Sequence, residues 1–266
     1  MHINTLSKEL MEESVCQLLN IDKDQLDELF DACYDKHQNN HPVFILDNQY
    51  DYFKEYVKEH LVMKIDEILF IHLSRRLDED NNGYNLVDLL CQETSLSIFL
   101  KSYGITFKDD QGIKMYVHGS EIDLSNLDDY AYRYLQGRFR NGDYSITGFA
   151  FGDNLLSKEL YNAVEGGPEL FGYLYPFDED DCLVDDFINN SILYQFDYLV
   201  PLKDIYFEGY DDLDNLDKQY HILIKALQRL YFYKYDKLFN DNDNVVIKMI
   251  DDKVLFEENL INKVKI

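Results

Sequence analysis

His72, Ser74 and Arg75 stand almost side by side at the end of the apolar run 65–73, IDEILFIHL. In an extended chain successive side chains alternate between faces, so His72 and Ser74 point one way while Ile71 and Leu73 point the other. An imidazole and a hydroxyl on one face can hydrogen-bond a ribose or an amide, and a guanidinium from Arg75 or Arg76 can clamp a phosphate through two parallel bonds. A purely structural reading stands beside this one: a satisfied buried histidine, with the arginines paired to Asp78, Glu79 or Asp80. Glu169, in GGPEL at 166–170, follows a Gly-Gly-Pro turn at the start of an expected short helix. A carboxylate there is either stabilised by the helix dipole or held rigid for catalysis. Gly148 and Phe149 belong to TGFAFGD at 147–153, whose glycines permit close backbone approach to a ligand.

The elements needed to position these residues are readable from periodicity. Met11, Val15, Leu18 and Leu19 mark one amphipathic helix; Leu26, Leu29, Phe30 and Cys33 mark a second, with Asp22 and Gln25 as its capping pair. A polar break at 37–42 precedes a third, with Asp47 as its expected cap and Leu61 near its end. The strand 65–73 is followed by an expected helix over 86–103 ended by Gly104, a hairpin around KDDQG, a helix near 127–135 and a strand over 145–153. A long strand over 191–207 contains Pro201. The longest helix is expected over 216–238, and the tail offers a short strand and a charged helical end. Helices first, a strand-rich middle and helices again give an α+β protein with a central mixed or antiparallel sheet. The expected sections are 1–62 (helical), 63–210 (the α+β core with the candidate pocket) and 211–266 (C-terminal helical), packed as one unit.

Composition narrows the partners. With 25 Lys+Arg against 51 Asp+Glu the net charge is −26, which repels phosphate backbones and disfavours direct nucleic-acid binding. The same acidity suits either a plain solvated surface or a face that docks on a basic protein, as a nucleic-acid mimic would. Cys16, Cys33, Cys91 and Cys182 form no C-x-x-C pair, so no thiolate zinc site is expected. DEDNNG at 78–83 imitates the opening of a calcium loop, but its twelfth position is Leu89 where a bidentate Glu is needed. Phosphate-loop, dinucleotide-fingerprint, zincin and nucleophile-elbow motifs do not occur. No apolar run suits a membrane span, no basic-then-apolar leader is read, and a reducing cytoplasm is the expected address.

Taken together, His72-Leu73-Ser74, Asn85-Leu86, FLKSYGITF at 99–107, GFAFGD at 148–153 and GPEL at 167–170 resemble a set of uncharacterised bacterial and phage-borne proteins. Those carry H-[IL]-[ST], then G-F-[LA], then [RG]-P-E; the resemblance covers 69–201. More remotely the pattern is similar to ADP-ribosyltransferases, whose first-strand His holds the ribose of NAD beside a Ser or Thr and whose later Glu is catalytic. The resemblance implies an NAD site in which His72, Ser74, Arg75, Gly148 and Phe149 bind the cofactor, with Glu169 and His72 as the catalytic residues and no metal. It departs from that family in two respects: Glu169 follows a proline turn instead of sitting on or beside a strand, and there is no unambiguous middle-strand aromatic motif. The function so implied is NAD-like nucleotide binding, with ADP-ribosyl transfer, in a bacterial or phage conflict system. The alternative is a non-enzymatic acidic inhibitor, immunity protein or adaptor for a basic partner.

Overall fold

Reciprocal caps and apolar stripes build the N-terminal helices. The computed structural model describes residues 1–37, 45–125, 130–140, 142, 144–153, 155, 166–235, 244–251 and 253–266. Helix α1 spans Lys8–Leu19 and α2 spans Lys23–His37. Ser7 Oγ accepts from the Leu10 amide at 3.3 Å, and Asn20 closes α1 in the left-handed conformation. The Gln25 amide donates to Asp22 Oδ1 at 2.8 Å, and the Asp22 amide donates to Gln25 Oε1 at 3.0 Å, which is the capping box expected. Both predicted stripes are buried. Helix α3, Ile45–His60, starts ahead of Asp47, so Asp47 is not at its cap position; the polar break lies, from residue 38, outside the described residues.

The remaining elements are β1 (Glu67–Arg76), α4 (Leu86–Cys91), α5 (Ser95–Ser102), β2 (Ile105–Asp109), β3 (Ile113–Val117), β4 (Ser120–Glu121), α6 (Tyr130–Arg140) and β5 (Thr147–Phe149). They continue with α7 (Leu183–Asn190), β6 (Ile192–Pro201), β7 (Ile205–Phe207), α8 (Asn215–Tyr235), β8 (Val246–Met249) and β9 (Leu260–Lys265). A six-stranded sheet has the order β7-β8-β5-β1-β6-β9, and a small sheet has the order β2-β3-β4. The fold is α+β. Several expectations change. The strand expected over 191–207 is two, β6 and β7, separated by a 3-10 turn at Leu202–Asp204 directly after Pro201, and the strand expected over 145–153 is confined to Thr147–Phe149. The 86–103 segment is two helices, because Thr94 and Ser97 form a reciprocal cap that restarts the chain: the Ser97 amide donates to Thr94 Oγ1 at 3.1 Å and the Thr94 amide to Ser97 Oγ at 2.9 Å. The tail ends as strand β9 instead of a helix, with Ile261 and Val264 extended and Phe196 paired to Lys263 across β6.

The chain forms two compact units, each discontinuous in sequence: Met1–Ile71 with Phe149–Leu155 and Leu199–Ile247, and His72–Gly148 with Leu156–Tyr198 and Lys248–Ile266. In the first, Phe30, Phe53 and Tyr231 meet edge to face across α2, α3 and α8, with ring centroids 5.9–6.1 Å apart. Its one deeply buried ion pair among the described residues joins Arg229 of α8 to Asp153, with Nε 2.8 and 2.7 Å from the carboxylate oxygens and Tyr233 Oη donating at 2.6 Å. The second unit packs Leu100, Ile105, Leu135, Phe139, Phe171 and Phe187 into its own apolar core.

Candidate functional site

Strand β1 does not stop with its apolar run. It continues to Arg76, so the polar residues at its end are held in extended backbone and not in a loop. His72 Nδ1 lies 2.9 Å from the Thr147 carbonyl. A carbonyl can only accept, so Nδ1 carries the proton and Nε2 is left as the acceptor of the ring. Burial, and then the positive charge of Arg76, push the His72 pKa down to about 4 against the pull of that carbonyl. The imidazole is therefore neutral at ordinary pH. Ser74 is half-buried, and its hydroxyl makes only a long 3.5 Å contact to the Arg75 carbonyl.

Arg75 turns away from this pair. Its Nη1 donates to the carbonyls of Ile188 (3.2 Å) and Ser191 (3.3 Å) and to Ser191 Oγ (3.2 Å). Those groups lie at the C-terminus of α7, where a cation meets otherwise unsatisfied carbonyls. The guanidinium expected to clamp a phosphate is therefore tied to a helix end.

Arg76 stands two positions after Ser74, on the alternate that His72 and Ser74 share. Its guanidinium carbon lies 4.9 Å above the Phe196 ring of β6. Nε and Nη2 are buried and make no hydrogen bond. Burial lowers its pKa, and the nearby Tyr198, Asp80, Asp78 and Tyr84 act in the other direction. Lys263 of β9 reaches the same aromatic surface, 4.2 Å from the Tyr194 ring centroid and 5.3 Å from that of Phe196. Two cations thus lie over one set of buried rings.

The other predicted residues lie elsewhere. Glu169 opens a 3-10 helix, Glu169–Tyr173, is exposed, and is hydrogen-bonded by Tyr134 of α6. No hydrogen bond or ion pair links it to His72 or Ser74 among the described residues. Gly148 is buried in β5, and Phe149 pairs with Ile71 of β1. All four cysteines are free, and among the described residues no group of three or more His, Cys, Asp or Glu could hold a metal. No described helix is long and apolar enough to cross a membrane.

An open cleft of about 680 Å³ beside β3 and α6 is lined by Asp110, Lys114, Glu121, Gln136 and Arg140. Lys114 is paired to Asp110 at 2.5 Å, and the Gln136 amide donates to the Leu124 carbonyl at 2.9 Å, so Lys114 and Gln136 have partners without a ligand. Arg76 differs from them in exactly that respect. Comparison with protein-family models, with curated proteins and with solved structures found no match.

Proposed function

We propose that the protein binds a phosphate-bearing, nucleotide-like ligand of the NAD type on the His72, Ser74 and Arg76 face of β1, as a sensor and without group transfer. One observation carries the reading: the buried, unsatisfied Nε and Nη2 of Arg76. These two nitrogens share one edge of the guanidinium and present parallel N–H groups, the arrangement that two oxygens of a phosphate accept. Buried N–H groups of a cation that lack acceptors are destabilising, and an anion arriving there would remove that penalty. His72, neutral and bonded through Nδ1, offers Nε2 to a ribose hydroxyl, and the loosely held Ser74 hydroxyl offers a further bond.

Binding without ADP-ribosyl transfer is favoured because transfer needs a carboxylate beside the ribose carbon as positive charge develops there. Glu169, the only carboxylate that the resemblance supplies, is engaged by Tyr134 on another element. The net charge of −26 favours a second reading, docking on a basic protein.

The test is thermal-shift and calorimetric titration of wild type, Arg76→Gln and His72→Ala with NAD, ADP-ribose and ATP. A ligand at a hundredfold excess over its Kd stabilises by about 2.7 kcal/mol, and that gain is expected to vanish in Arg76→Gln. No shift with any of the three in wild type refutes the nucleotide reading. Salt-sensitive capture of a basic protein would then support the second.

A further inference from the structure

The acidic segment 78–82 that failed as a calcium loop is pinned beside Arg76. Tyr198, whose ring centroid lies 6.1 Å from that of Phe196, donates its hydroxyl to the Asn81 carbonyl at 2.5 Å. Lys263 Nζ donates to Asn81 Oδ1 at 2.8 Å and pairs with Glu79 at 3.6 Å. Asn81 Nδ2 donates to Glu257 Oε1 at 2.8 Å, and the Glu257 amide donates to Asn82 Oδ1 at 3.0 Å. Gly83 and Leu255 then exchange both backbone hydrogen bonds, at 2.8 and 2.9 Å. A Cβ on Gly83 would come within 2.9 Å of Leu255 Cδ1, so a glycine is what lets the two backbones approach this closely.

The two aspartates of this strap accept from its own turn and from Tyr84. The Asp80 amide donates to Asp78 Oδ1 at 3.0 Å. Asp80 accepts from the Asn82 amide (3.0 Å), Asn82 Nδ2 (2.8 Å) and Tyr84 Oη (2.8 Å). Neither aspartate closes an ion pair with Arg76, although both act on it through space. The guanidinium thus has negative charge nearby and no acceptor in contact. An anion brought to these two N–H groups would therefore meet no competing acceptor but would be repelled by the aspartates.

Resting on the ligand reading above, we infer that the 78–82 strap is a built-in counter-anion for Arg76, whose field an incoming phosphate must replace. The strap offsets the charge of Arg76 and sets how strongly phosphate is bound. Its removal as charge, with its shape kept, separates the two effects. Asn at 78 and 80 retains the Oδ1 acceptors of both turns, and the Tyr84 hydroxyl can rotate to accept from the new amide.

Two measurements test the inference. The first is a ligand-free double-mutant cycle of urea unfolding with Asp80→Asn, Arg76→Met and the double variant. Asp80→Asn is expected to lower the midpoint in the wild-type background and to leave it unchanged beside Arg76→Met. The second is calorimetric titration of inorganic pyrophosphate and ADP-ribose into wild type, Asp78→Asn/Asp80→Asn, and Arg76→Gln. The control is Glu179→Gln/Asp180→Asn, which makes the same charge change on another acidic loop. The strap variant is expected to bind about three- to tenfold more tightly than wild type or the control. Absence of coupling in the cycle overturns the counter-anion whatever the probes do. Equal affinity of strap variant and wild type, with binding lost in Arg76→Gln, overturns it while the ligand reading stands. Failure of both probes to bind wild type and strap variant overturns both.

Discussion

Arg76→Met is expected to stabilise the ligand-free protein. Methionine keeps an unbranched stem of similar length against Phe196 and removes the charge and its N–H groups. The energy balance can be worked from the geometry. Two buried, unsatisfied nitrogens carry a penalty of about 1–3 kcal/mol each. Against this stand the 4.9 Å contact with the Phe196 ring, at most about 2 kcal/mol, and the through-space attraction of Asp80 and Asp78. With the ring contact subtracted in full about 0–4 kcal/mol remains, and the attraction of the aspartates lowers it further, so a net gain of about 1–2 kcal/mol is expected for methionine. Urea unfolding followed by far-UV circular dichroism reads this as a higher midpoint at unchanged slope. Most core substitutions destabilise, so a gain here would mark a residue kept for binding and not for stability. A loss greater than about 1 kcal/mol would refute the reasoning, because Arg76 would then be a satisfied structural cation.

Arg229 provides the opposite case. It is buried more deeply than Arg76, and its Nε and Nη2 both reach Asp153. Arg229→Met should therefore lower stability by about 3–5 kcal/mol in the same assay, since it leaves the Asp153 carboxylate buried without a cation. His221 of α8, bonded through Nδ1 to Tyr50 Oη at 3.0 Å, has its pKa pushed down to about 4 by burial and then by Lys225. A depressed histidine contributes stability above its unfolded pKa of about 6.5, lost as pH falls towards the folded value. His221→Gln should flatten the decline in urea midpoint across that window, and an unchanged slope would contradict the assignment. Gly104, at φ +76 with the His118 ring against it, should not accept a side chain. Gly104→Ala is expected to lose about 1–2 kcal/mol, read as a lower Tm.

Much of the helical architecture was legible because amphipathic helices write their burial into a 3.6-residue period. All the residues assigned to the first two stripes are buried, and the Asp22 and Gln25 cap has the geometry its spacing implies. Strand β9 was not legible. LINKVK places three polar side chains among three apolar ones, and what makes it a strand is pairing with β6, a partner far away in sequence. The two units were hidden for a related reason: the chain passes between them several times within ordinary elements, leaving no linker composition to mark a boundary.

Within the site, the alternation rule that placed His72 and Ser74 together also places Arg76 with them and Arg75 opposite. Choosing Arg75 for the phosphate broke that rule at the next residue. The signal for the correction was therefore in the sequence, provided the strand was carried on to 76 and not ended at 73. The apolar run suggested ending it at 73, because hydrophobic patterning reports burial by apolar side chains and falls silent where a strand turns polar. A strand that continues past its hydrophobic stretch presents charged groups on rigid backbone beside a core, which is how a guanidinium can be both buried and unsatisfied. Arg75 escapes that condition only because the end of α7 supplies acceptors on its side of the strand. Among the described residues no such helix end meets Arg76, and Asp80 of the acidic strap beside it accepts from Asn82 and Tyr84 instead.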